Sequence, residues 1–315
     1  MSSVRALRLG SRRSPMAMAQ AVHVSERLRA AAPGLDVEIV GIETSGDRWR
    51  GALADLGGKG TFLKEIERAL VDGAIDAAVH CVKDVPGDVP APEGTEFAGY
   101  LARDDVHDVV VFPEGSAHRT LAGLPAGATI GTSAVRRAAQ LLRHRPDLRV
   151  EPFRGNVNSR LARLDAERPV DAVILARAGL DRIGRADRAA ETLPLDVMCP
   201  AVGAGVLGLQ CRTADTGVAD LLRALDDPAT RTRVAAERAM LRGLRGHCNS
   251  PIAGHCTATA DGPLSLLGMV FTPDGGELAR VRASDEPGRA EELGAYVADA
   301  LAGKGAHRII EAIPH

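Results

Sequence analysis

Short apolar runs alternate with longer amphipathic stretches at the start of this chain, and nothing else in it restricts the fold as strongly. Leu7 to Leu9, Val37 to Ile42 and Ile75 to Val79 have strand character, while Ser14 to Ala31 and Thr61 to Val71 between them have helical character. Strand, helix and strand in that order predict βαβ packing and a largely parallel sheet. A second unit begins near Asp108-Val109-Val110-Val111 and runs through Asp171 to Leu175 as far as Pro194, and Val206 to Cys211 forms a further strand suited to return to the first sheet. The last part has helices from Ala229 to Leu244 and Arg289 to Leu301. Between them lie strands near Cys256 to Ala260, Leu264 to Phe271 and Glu277 to Ala283, a pattern for an antiparallel sheet covered by helices. The expectation is an α/β protein of three domains: residues 1–104 with 203–223, residues 105–202, and residues 224–315. At 315 residues and 45% hydrophobic content the chain can supply that many cores. No internal sequence repeat or low-complexity linker is visible.

Chemistry gathers where strands run out. In His80-Cys81-Val82-Lys83-Asp84-Val85-Pro86 an ammonium and a carboxylate stand side by side just past a strand, at the edge where open α/β sheets bind ligands. A surface ion pair on a turn is the plainer reading of Lys83 and Asp84; an anion site with a proton-handling group is the functional one. Three further turns repeat the placement of cations. Arg12 precedes Ser14-Pro15, a cap and first helical residue; Arg136 and Arg137 follow Gly131-Thr132-Ser133; Arg154 and Arg160 flank the start of a helix from Val157 to about Glu167. Helix N-termini favour anions and disfavour cations, so this recurrence predicts a pocket for a polyanion.

The formal net charge of −2 and the lack of a basic run exclude a general binder of nucleic acid or membrane surfaces, and 3% aromatics leaves no stacking platform. Five scattered cysteines, Cys81, Cys199, Cys211, Cys248 and Cys256, suit a reducing compartment better than a disulfide framework. Ser11 to Ser14 resembles a twin-arginine signal, but the residues after it are too short and interrupted for an apolar core, so a helix of the mature protein is expected. Asp47 to Gly60, with four glycines besides Trp49 and Lys59, has neither helical nor strand period. It reads as a surface loop or as a lid bringing Lys59 or Phe62 to a ligand. In Gly246-His247-Cys248-Asn249-Ser250 the cysteine is open to three readings: a small buried hydrophobe, a metal ligand with His247, His255 and Cys256 in a spacing that fits no common zinc pattern, or a thiolate that becomes attached to a cofactor.

The motifs HCVKDVP, GGKGTFLKEIERAL, GTSAVRR, RGNVNSRL, DAVILARAGLDRIG, AVGAGVLGLQCR, AAERAM and HCNSPIAG, in that order over nearly the whole chain, resemble the porphobilinogen deaminase (hydroxymethylbilane synthase) family. The resemblance implies two periplasmic-binding-protein-like α/β domains with a cleft between them and a smaller α+β domain. It implies a cytoplasmic, monomeric transferase of tetrapyrrole biosynthesis that links four porphobilinogen molecules into 1-hydroxymethylbilane with loss of ammonia. It also implies a covalent dipyrromethane cofactor, attached through Cys248, and no metal, nucleic-acid or membrane partner. By motif, Asp84 corresponds to the catalytic carboxylate; Lys83, Thr132, Arg136, Arg137, Arg154 and Arg160 to cofactor carboxylate binding; Arg12, Ser14 and Arg182 to the incoming substrate. Arginine forks suit this role because each pyrrole brings two carboxylates.

Four positions depart from the family pattern. His247 replaces a usual glycine, Ala204 a glutamine, and Cys81 and Ala134 each a serine, which removes hydrogen-bond partners around the expected carboxylates. Two rivals remain at this stage: a cleft-type receptor for a small polyanion, which leaves Asp84 and Cys248 without a role, and a pyrrole-binding paralogue that does not turn over.

Overall fold

The computed structural model describes residues 6–49, 60–246, 250–258 and 262–312. Its first part comprises β1 (Leu7–Arg12), α1 (Pro15–Ala31), β2 (Val37–Ile42), α2 (Ser45–Arg48), α3 (Lys64–Val71), β3 (Ala77–Cys81), one 3-10 turn (Val82–Asp84) and β4 (Thr95–Tyr100). The second comprises β5 (Asp108–Val111), β6 (Thr129–Gly131), α4 (Val135–His144), β7 (Arg149–Glu151), α5 (Val157–Ala166), β8 (Ala172–Ala176), α6 (Arg177–Arg182) and β9 (Glu191–Thr192). There follow β10 (Leu207–Arg212), α7 (Thr216–Arg223), α8 (Pro228–Gly243), β11 (Ile252–Ala258), β12 (Leu264–Phe271), β13 (Leu278–Asp285), α9 (Ala290–Gly303) and α10 (Ala306–Glu311). The α/β expectation holds, with two mixed sheets and one smaller antiparallel sheet.

The two larger sheets share one plan. Their strand orders are β2-β1-β3-β10-β4 and β7-β6-β8-β5-β9. In each, three parallel strands are followed by an antiparallel strand that arrives from the other sheet, β10 in the first and β5 in the second. The chain therefore crosses between the sheets twice, through residues 101–107 and 193–206. The crossings bond to each other where Asp104 donates its N–H to Gly205 O at 3.0 Å, and the first is tied to the start of β10 by Leu101 N–H to Leu207 O at 3.0 Å. A repeat absent from the residue identities is thus present in the topology.

Period-two alternation sets the layers. On β5, Val109 and Val111 pack with Phe153, Leu161 and Leu164 on one face, whereas Val110 packs with Ile130, Leu141 and Ile174 on the other. In the first sheet, Leu7 and Leu9 meet Val24 and Leu28 of α1, while Ile66 and Leu70 of α3 cover Ile75 and Ala78 opposite. Each fully buried leucine or isoleucine contributes about 1.5–3 kcal/mol. Helices α8, α9 and α10 cover the third sheet through Met240, Val297, Leu301 and Ile309. The outcome is two α/β layers whose parallel strands end toward a shared space, with the third sheet beside the crossings.

Candidate active site

Lys83 and Asp84 lie beyond β3 on the 3-10 turn. Val82 N–H donates to Val206 O at 3.0 Å and Val85 N–H to Val82 O at 3.1 Å, so the turn is pinned to the second crossing and closed on itself. Gly203 packs against it: a Cβ there would lie 3.0 Å from Lys83 N, and its φ of +72° is a conformation glycine adopts freely. Both side chains face a cavity of about 220 Å³, with Phe62, Ser133, Arg136 and Arg160 in its wall. Burial pushes the Lys83 ammonium pKa down while Asp84 pulls it up. Behind Asp84, His80 is buried with Nε2 2.8 Å from Gln210 Oε1, and burial lowers its pKa to about 4, so it is neutral near pH 7.

Two helices from the second sheet aim cations into the same cavity. Arg136 and Arg137 occupy the first turn of α4; Arg160 follows Asn156, whose side chain caps α5 by accepting from Ser159 N–H at 2.9 Å. The two α4 arginines differ. Arg137 donates Nε and Nη2 to Asp108 at 2.8 and 2.6 Å and Nη1 to Ile174 O at 3.2 Å, so its fork is matched internally. Among the described residues, Arg136 Nε and Arg160 Nε are buried without a hydrogen-bond partner, as is Ser133 Oγ. Burial, reinforced by Arg137's charge, lowers both guanidinium pKa values to about 10; Arg154, half-buried, adds to the repulsion at Arg160. Desolvated, unmatched cations at positive helix ends cost stability until anions arrive. The donors present therefore fit a bound group carrying several carboxylates.

The other expected residues are placed as follows. Arg12 ends β1 with its guanidinium 4.1 Å above the Phe62 ring and Nη2 2.5 Å from Asp47 Oδ1. Ser14 caps α1, accepting from Ala17 N–H at 3.3 Å. Thr132 is buried and its hydroxyl accepts from Ala134 N–H at 3.3 Å. Arg182, at the end of α6, pairs with Asp104 at 2.7 Å, donates to Gly205 O at 3.1 Å and places Nη1 3.8 Å from Cys81 Sγ. Cys248 and Lys59 lie outside the described residues. The described flanks of the Cys248 loop do reach this site: Gly246 O accepts from Gly87 N–H at 3.1 Å, three residues past Asp84, and Ser250 lines the 220 Å³ cavity. His255 and Cys256 belong to β11 instead, where His255 Nδ1 is 3.1 Å from Arg103 and Cys256 is buried. Among the described residues no cluster is suited to a metal ion.

Sequence reading missed the aspartates that occupy three of the arginines. Asp47, Asp104 and Asp108 are 35, 78 and 29 residues from their partners. Only Asp47 left a local signal, three residues after Thr44, with which it forms a reciprocal cap on α2. That short helix occupies part of the stretch expected to have no regular structure.

Two family profiles account for most of the chain. "Porphobilinogen deaminase, dipyromethane cofactor binding domain" matches residues 7–220, and "Porphobilinogen deaminase, C-terminal domain" matches residues 231–303. Porphobilinogen deaminase 2 of Streptomyces coelicolor is 50% identical, covering 100% of this chain and 99% of that one. Porphobilinogen deaminases of Syntrophotalea carbinolica and Pelobacter propionicus are 45% and 43% identical, each covering 98% of this chain, and 96% and 97% of their own lengths. The solved structure of lipoprotein Tp32 from Treponema pallidum overlaps 70% of this chain and 90% of that one at 14% identity, with a TM-score of 0.44.

Proposed function

The chain belongs to the porphobilinogen deaminase family, and from that premise we propose that it is a hydroxymethylbilane synthase, a transferase joining four porphobilinogen molecules head to tail with loss of ammonia. The observation that carries this reading is the pairing of unmatched, desolvated Arg136 and Arg160 with Asp84 around one cavity. A receptor for anions needs the first feature; a carboxylate among anionic ligands serves chemistry. We read residues 1–104 with 203–223 as the catalytic domain, 105–202 as the main carboxylate-binding domain and 224–315 as the domain of attachment. A cytoplasmic, monomeric enzyme suits this reading, and no described helix is long and apolar enough to cross a membrane.

The dipyrromethane cofactor, when bound through Cys248, supplies the nucleophilic pyrrole carbon. Lys83, Arg136, Arg154 and Arg160 would hold its carboxylates, with Thr132 shaping the turn before α4 and Arg137 adding its charge from the Asp108 pair. Arg12 would take a carboxylate of the incoming monomer in exchange for Asp47, and Arg182 one in exchange for Asp104. Such exchanges swap one charge-assisted bond for another and cost little. Ser14 fixes the start of α1 behind Arg12, while Phe62, stacked on that guanidinium, and Lys59 would help to close the site. Asp84 would give its proton to the departing amine and, as the carboxylate this leaves, oppose the positive charge that spreads onto the pyrrole N–H.

Replacing Asp84 by asparagine tests the assignment because it keeps the shape and removes the charge. Porphobilinogen consumption should fall by about 100-fold or more, with the attached cofactor still present by mass. Near-normal consumption would eliminate Asp84 as the catalytic group.

A further inference from the structure

Helix α8 reaches from the third sheet to the backbone that carries Asp84. Arg238, near its middle, donates Nη1 to Val85 O at 3.2 Å and Nη2 to Pro86 O at 3.1 Å, the two carbonyls that follow Asp84. The preceding residue, Glu237, is fully buried and holds both crossings. It accepts from Arg103 Nη1 and Nη2 at 2.7 and 3.1 Å and from the N–H groups of Gly203 and Cys256, each at 2.8 Å. A third tie is the bond from Gly87 N–H to Gly246 O at 3.1 Å. A Cβ on Gly87 would lie 2.9 Å from the Leu241 carbonyl carbon, so this backbone rests directly on the end of α8.

These neighbours do different work. Glu237 binds an arginine and two backbone amides in the interior, and losing it would leave buried donors unsatisfied, a cost to folding. Arg238 grips a segment with fewer tethers, since Pro86 has no N–H to donate. A rigid fork suits two successive carbonyls, whereas a lysine ammonium would bind them with less fixed geometry. Burial pushes the Arg238 pKa down, so holding a cation here works against stability. We propose that Arg238 is a positioning residue for the reaction: it holds the Val85-Pro86 backbone so that the Asp84 carboxylate keeps its place in the wall of the 220 Å³ cavity. This inference rests on the catalytic reading of Asp84.

The test uses the cofactor-loaded protein. Arg238→Met should lower kcat by about 10- to 100-fold, as expected for a small misplacement of a reacting group, with KM for porphobilinogen and cofactor mass little changed. Arg238→Lys should fall between it and the wild type. Because the effect passes through Asp84, Arg238→Met should slow the Asp84→Asn enzyme by less than about twofold, the non-additivity of groups that act as a unit. An unchanged kcat in Arg238→Met, or its full loss persisting in the Asp84→Asn background, would overturn the proposal. If the methionine variant does not fold, the lysine variant carries the same cycle. A normal rate for Asp84→Asn alone would remove the premise, a failure distinguishable from either of these.

Discussion

Among the arginines of the cleft, what separates one from another is the partner and not the residue type. Arg12, Arg137 and Arg182 are each held by an aspartate, whereas Arg136 and Arg160 leave a buried Nε unbonded. The placement of Arg12 and Arg160 at strand-to-helix turns was legible in the sequence because Ser14-Pro15 and Asn156 mark the starts of α1 and α5, whereas α4 starts at an uncapped Ala134 and not at the expected cap Ser133, and Arg182 lies at the end of α6. The arginines' state of pairing was not legible, since the partner carboxylates arrive from elsewhere in the chain. The unmatched pair predicts a conflict between stability and binding. In a Cys248→Ala background, which prevents attachment, Arg160→Leu should raise unfolding stability by roughly 1–3 kcal/mol, the scale of a buried unsatisfied polar group removed; with Cys248 intact, the same change should reduce cofactor loading. Denaturant midpoints of the two attachment-deficient proteins check this, and a lower midpoint for the leucine variant would contradict it.

At the level of elements, the strongly periodic segments were readable and the short ones were not. Helix α1, strand β12 and helix α5 fall within a residue or two of expectation, and the strand after residue 206 does return to the first sheet as β10. Strand β3 runs to Cys81, beyond the expected end at Val79, and Lys83 and Asp84 follow it at once on a separate 3-10 turn. Strand β4, Thr-Glu-Phe-Ala-Gly-Tyr, gave little signal because glycine and alanine interrupt its β-formers. Helix α6 has six residues, too few to show a period. The expected strand near Cys256 to Ala260 begins earlier, at Ile252, and residues 259–260 lie outside those described. One departure from the family pattern acts at this scale: Ala134 occupies the N-cap of α4 and offers no side-chain bond. Ala134→Ser should stabilise the protein by about 1 kcal/mol, the usual worth of an N-cap. Thermal unfolding of the two proteins measures it, and no gain would mean that water or a neighbour already satisfies those amides.

For the whole molecule, the decisive arrangement is a topological repeat joined by two crossings, with the third sheet anchored to both through Glu237. No repeat was visible in the sequence because the two halves share an alternation of buried and exposed positions, not residue identities. The motifs made the meeting point legible: Lys83, Asp84, Arg136 and Arg160 converge on one cavity, and Ser250, two residues after Cys248 in sequence, lines it. The Glu237-Arg238 brace was hidden, since a charged pair on a long helix gives no sign of what it will grip. On the proposed function, this cleft carries a covalent dipyrromethane and extends it one pyrrole at a time. Intact mass of the purified chain, before and after brief exposure to porphobilinogen, tests it most directly. The expected result is the chain mass plus one dipyrromethane, a ladder of single-pyrrole additions after exposure, and the bare mass for Cys248→Ala under both conditions. A wild-type chain that stays at its bare mass under both conditions would rule out a covalent pyrrole in this cleft.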